Sequence, residues 1–158
     1  MCFVLYVGTA HPLPRRKFDR DSVDLSVKSL TERDSAIKQY FSKAEVQYVG
    51  STSSCGCDFP HATLQNGKWP ELEYVSDAEK DELEIARDIS DRKNREALLA
   101  LLRTTGDNMA EVYGVWDGGF ANGPQAQENI SVNDLLGPNF RFKEQAFYKL
   151  YLERRIDA

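Results

Sequence analysis

Residues 51–61, STSSCGCDFPH, carry two of the three cysteines in the chain and one of its two histidines. Only Gly56 separates Cys55 from Cys57, and Pro60 and His61 stand close behind. Thiolates are good ligands for soft ions such as zinc, and structural zinc sites are typically closed by four Cys or His groups. A glycine between two thiols allows the unusual backbone dihedrals that would let both reach one ion. His61, four residues beyond Cys57, can fold back as a third ligand. Cys2 opens the first expected strand, where a sheet neighbour would bring it beside the 55–57 turn. The expected metal site is therefore Cys2, Cys55, Cys57 and His61. Asp58 is a spare oxygen ligand and His11 a more distant nitrogen.

The same letters admit other chemistry. A C-x-C spacing is not the paired C-x2-4-C knuckle, or the knuckle with H-x3-5-H, that marks zinc strongly. Cysteine is also among the most buried residue types and packs as a small hydrophobe. A disulfide across one residue would close a small, strained ring that is easily reduced, which suits a switch or an exchange catalyst better than a scaffold. In that reading Cys55 or Cys57 is the reactive group of a thiol-dependent enzyme or redox protein. The usual cytosolic redox pair is C-x-x-C at the start of a helix, whereas here Phe59-Pro60 comes next and no helix opens at the pair. In a third reading the thiols are simply buried and the protein is an adaptor.

Two short stretches resemble known families. MCFVLYVG is similar to the strand that opens N-terminal-nucleophile hydrolases such as glutamine amidotransferases. The likeness implies that removal of Met1 leaves Cys2 as a nucleophile with its own amine as base. The glycine those enzymes carry after the cysteine is missing, because Phe3 stands there. YVGST at 48–52 resembles the second half of the GIY-YIG nuclease motif. Its first half would have to come from Leu5-Tyr6, far too distant in the chain, and no arginine stands at the expected place.

At 158 residues the chain suits one domain, residues 1–158, with a core that needs no staples. Hydrophobic residues make up 41% and charged residues 28%, the balance of an ordinary globular protein. The formal net charge of −5 repels nucleic acid and anionic membranes, and no basic patch with interleaved aromatics offsets it. The basic cluster Arg15–Arg20 contains Asp19 and is followed by Asp21, so it reads as a solvated loop. The first apolar run is too short for a signal-peptide core or a membrane span. The expected compartment is the cytoplasm, where thiols stay reduced. An odd cysteine count likewise argues against a disulfide framework. Expected partners are another protein or a second copy of the chain, with no nucleic acid and no membrane.

The elements that must position these residues can be read from periodicity. CFVLYVGT is a continuous apolar run of strand length and reads as a buried strand. VDLSVKSL alternates as a half-buried strand, TERDSAIKQYFS is helical with Thr31 as N-cap, and AEVQYVGS is a third strand. That order predicts a β-α-β crossover with parallel strands, which would put the cysteine stretch at the carboxyl end of a central strand, where sites gather. A loop through Asn66-Gly67 and Trp69-Pro70 leads to Ser76, which caps a helix with Glu79 as capping-box partner. The helix runs through Arg103 to Gly106, and its shifting apolar phase predicts a break near Ser90-Asp91. Its charged part, 77–91, reads as a solvated outer face.

AEVYGVWDGG is a fourth strand, and ISVNDLLG a helical turn capped by Ser131. FRFKEQAFYKLYL gives one or two last strands, with Phe147–Leu152 open to a helical reading. Trp116, Asp117 and Phe120 either line a pocket or merely form an Asp-Gly turn. No strand is succeeded by a phosphate-binding glycine fingerprint. The fold class is α/β or α+β: a mixed sheet of about five strands with two or three helices packed on it.

Overall fold

The run FVLYVGT forms β1 (Phe3–Thr9), with all seven residues buried. In a strand, alternate side chains face opposite sides. Accordingly Phe3, Leu5 and Val7 join one core cluster, while Val4 and Tyr6 join another on the other face. A strand covered on both faces needs apolar residues at every position, and this explains the unbroken hydrophobic run. In the computed structural model, residues 2–22, 24–51, 55–62 and 76–152 are described.

The other strands are β2 (Ser26–Ser29), β3 (Glu45–Gly50), β4 (His61–Ala62), β5 (Met109–Trp116), β6 (Ala126–Ser131), β7 (Phe142–Lys143) and β8 (Ala146–Tyr151). Six of them form a mixed sheet in the order β2-β3-β1-β5-β8-β6, and β4 pairs with β7 in a second, small sheet. The fold is of the α/β type. β1 runs antiparallel to both neighbours, with Leu5 opposite Val49 and Phe3 opposite Trp116. The start of β1 therefore lies beside the ends of β3 and β5. No helix among the described residues is long and apolar enough to cross a membrane.

Helix α1 (Asp77–Arg103) begins at the Ser76–Glu79 capping box and covers one face with Leu98, Leu99, Leu101 and Leu102. Its 27 residues span about 40 Å, more than the sheet can cover. Leu83, Ile85 and Ile89 on its first half are accordingly exposed. The expected break at Ser90-Asp91 does not occur, since nothing there (no Pro, no Gly) interrupts the backbone ladder. What changes along the helix is burial. Asp91, Asn94 and Arg95 are buried at the junction, and Arg95 donates to the carbonyls of Leu135 and Gly137, both at 2.7 Å. Those carbonyls close the short helix α2 (Val132–Leu135), itself capped by Ser131.

The expected crossover and the Thr31 cap are corrected, and the sheet gains a strand. The β-α-β crossover is absent: β2 and β3 are antiparallel neighbours. The segment between them forms only a 3-10 helix, Ser35–Tyr40, too short to carry a crossover. Asp34 rather than Thr31 stands at its start, and its carboxylate accepts from the Thr31 amide at 2.6 Å. The sheet gains β6, whose sequence AQENIS is too polar to read as a strand. β6 lies at the sheet edge, parallel to β8, where only one side needs a partner. The last stretch forms strands, as its alternation suggests: Phe147 to Tyr151 lie in β8, and Phe142–Lys143 pairs with His61–Ala62. The expected loop through Asn66-Gly67 and Trp69-Pro70 lies outside the described residues, as do Val23 and residues 52–54.

Candidate metal centre

The antiparallel pairing of β1 with β3 and β5 builds the site. Cys2 immediately precedes β1, and its carbonyl accepts from the Asp117 amide just past β5 at 2.8 Å. On the other side the chain leaving β3 folds back over Phe3. Ser51 N–H donates to the Cys55 carbonyl at 2.7 Å, and Gly56 N–H donates to the Phe3 carbonyl at 2.9 Å. The Ser51 hydroxyl donates to the same Cys55 carbonyl. A Cβ on Gly56 would sit 2.8 Å from the Phe3 carbonyl oxygen and 3.2 Å from Val4 Cα. Only glycine lets the turn lie this close to the strand.

The result is a convergence of three thiols. The Sγ atoms of Cys2, Cys55 and Cys57 all lie within 4.8 Å of one another. Three sulfurs bound tetrahedrally at the usual Zn–S length of about 2.3 Å are about 3.8 Å apart, so closure on an ion asks for movements of an ångström or less. Cys57 N–H also donates to Cys55 Sγ at 3.4 Å. Cys57 packs against the main core cluster. Burial, a hydrogen bond with Cys55 and the neighbouring thiols push its pKa up to about 12, while a backbone hydrogen bond with Phe3 pulls the other way. At neutral pH Cys57 keeps its proton until a cation displaces it. The cluster could hold a metal ion.

The structure brings Cys2, Cys55 and Cys57 together and does not add His61 to them. His61 belongs to β4, where its Nδ1 lies 2.7 Å from the Phe59 carbonyl oxygen. Its ring stacks on Phe3 at 4.5 Å between centroids and meets the edge of Trp116. Asp58 is engaged by the Ser51 hydroxyl at 3.4 Å. His11 is beyond the far end of β1, paired with Asp107 at 3.8 Å.

Cys2 and Cys55 open on a cleft of about 330 Å³ whose walls include Tyr48, Lys28, Arg33 and Asp117. Arg33 pairs with Asp117 at 3.3 Å, and Lys28 Nζ stands over the Tyr48 ring, 5.6 Å from its centroid. Burial and then the nearby Cys55, Cys2 and Cys57 push the Tyr48 phenol up to about 12, so it remains a hydrogen-bond donor at neutral pH. Tyr6 donates to Asp34 at 3.1 Å on the same wall. Asp117 and Phe120 line this cleft as well as forming the turn, whereas Trp116 lies behind it against Phe3 and His61. Tyr48, Lys28 and Arg33 had no signal in the sequence. They sit singly on or beside β2 and β3, and only the strand pairing assembles them. No protein-family model, no curated protein and no solved structure matches the chain.

Proposed function

We propose that the protein is a small metal-binding module in which Cys2, Cys55 and Cys57 hold one thiophilic ion of the zinc type as thiolates. The observation that carries this reading is the convergence of three Sγ atoms from two separate parts of the chain within 4.8 Å. Cys2 is exposed and Cys55 and Cys57 are half-buried, so they are not space-filling core cysteines, and thiols that hydrogen-bond only weakly to one another have no reason of their own to converge. A divalent cation supplies the attraction that three thiolates lack. Soft sulfur donors select zinc or monovalent copper over magnesium or calcium. Three protein ligands leave a fourth position open, as in sites that exchange a ligand rather than purely structural ones.

Metal analysis of the full chain, purified without chelator, tests this. One equivalent of zinc in the wild type, lost in Cys57→Ser, is the expected result. A metal-free wild type in which one cysteine reacts rapidly with a thiol reagent would support the thiol-enzyme reading instead.

A further inference from the structure

We infer that the fourth position of the three-thiolate site takes the sulfur of a small zwitterionic thiol of the amino-acid type, seated in the cleft beside Cys2 and Cys55. This rests on the metal-binding reading and adds what the open position is for. The three donors are not equivalent in their surroundings. Cys57 packs against the core, whereas Cys2 and Cys55 line the cleft. An ion held by all three therefore has its uncovered side toward the cleft. At about 330 Å³, that space falls in the range of small-ligand sites.

The chemistry of the position and of the walls points to the same class of ligand. Three thiolates over-neutralise a divalent ion, which makes it a weak activator of water but a good partner for another soft donor. A metal-bound thiol is held as its thiolate. On binding, the incoming thiol loses its proton to solvent, one metal–sulfur bond forms and one bond to a solvent oxygen breaks. Around the sulfur the walls carry two cations, Lys28 and Arg33, and two carboxylates, Asp34 and Asp117. Arg33 and Asp117 pair with each other at 3.3 Å, and Asp34 accepts from Tyr6 and Thr31, so the ligand that suits these walls bears both a carboxylate and an ammonium group and exchanges with the Arg33–Asp117 pair charge for charge. Lys28 stands over the Tyr48 ring, and Asp117 is tied to Cys2 through its backbone amide.

The test uses the full chain loaded with Co²⁺ and titrated with L-cysteine or 2-mercaptoethanol. With L-cysteine the sulfur-to-cobalt charge-transfer absorbance is expected to rise by about one third as three Co–S bonds become four, with cobalt staying on the protein. 2-Mercaptoethanol, lacking both charges, is expected to bind about tenfold more weakly. Lys28→Ala and Arg33→Ala are each expected to reduce that difference while leaving the three-thiolate bands intact. Three-thiolate bands that L-cysteine leaves unchanged, equal affinity for the two thiols, or cobalt stripped from the protein would each overturn this inference alone. The absence of any charge-transfer band on adding cobalt would overturn the metal reading and this inference with it.

Discussion

Two polar clusters are built onto the central strands, and they differ in how their chemistry is completed. Toward one end of β5, Glu111 is buried in the sheet. Its carboxylate accepts from the Ser42 amide at 2.9 Å, the Lys43 amide at 3.2 Å and the Ser42 hydroxyl. Acceptor and donors complement each other, so this cluster is finished within the chain and acts as a pin for the segment after the 3-10 helix. At the opposite end of β1 and β5, three thiols of one kind converge. Like groups cannot complete one another, and their common need is a cation. A satisfied buried charge points to scaffolding, and a convergence of identical soft donors points to a ligand from outside.

The difference predicts separable mutant behaviour. The largest effect belongs to Glu111→Ala, which empties a buried position and removes the shared acceptor of two amides and a hydroxyl that are themselves only part-buried. Urea unfolding is expected to show a loss of about 2–4 kcal/mol, with zinc stoichiometry unchanged under conditions where the variant is folded. Gly56→Ala comes next, since its methyl meets backbone atoms of Phe3 and Val4 that cannot give way. A stability loss of about 1–3 kcal/mol is expected together with weakened metal binding, because Cys55 and Cys57 are levered away from Cys2. Equal metal affinity in this variant would show that the turn's close approach to β1 is irrelevant to the site.

The smallest expected effect is at Tyr113, which is fully buried and whose hydroxyl finds no partner among the described residues. Tyr113→Phe is expected to be neutral or to stabilise by about 1 kcal/mol at pH 7. Burial raises this phenol from 10.0 to about 12, with Tyr40 adding to the shift. Because the folded-state value is the higher one, its stabilising share is complete below pH 10 and is lost as pH rises through 12. In alkaline melting curves the Phe variant should lose less stability over that window than the wild type. Indistinguishable curves would contradict the assignment.

Much of the site was legible because it depends on residue type and local spacing. The C-x-C turn, the buried first strand and the proximity of Cys2 to the turn are consequences of cysteine chemistry and apolar runs. The route by which Cys2 arrives was not legible. Periodicity shows that a segment is a strand but not which way its neighbour runs, so the β2–β3 pair read as parallel when it is antiparallel. His61 looked like a ligand because four residues is within reach of Cys57. What decides its place is stacking on Phe3 and pairing with Phe142, both distant in sequence. Helix α1 shows the converse case. Its phase shift was visible, but the cause was a change from solvent to core along one unbroken helix. The polar strand β6 carried no apolar signal, because an edge strand with its side chains half in water needs none.

Zinc K-edge X-ray absorption on the zinc-loaded full chain tests the central claim most directly. The predicted coordination is three sulfurs at about 2.3 Å and one lighter atom from solvent, with no bound zinc retained by Cys57→Ser. Wild-type coordination dominated by nitrogen and oxygen at about 2.0–2.1 Å, with one sulfur or none, would contradict it.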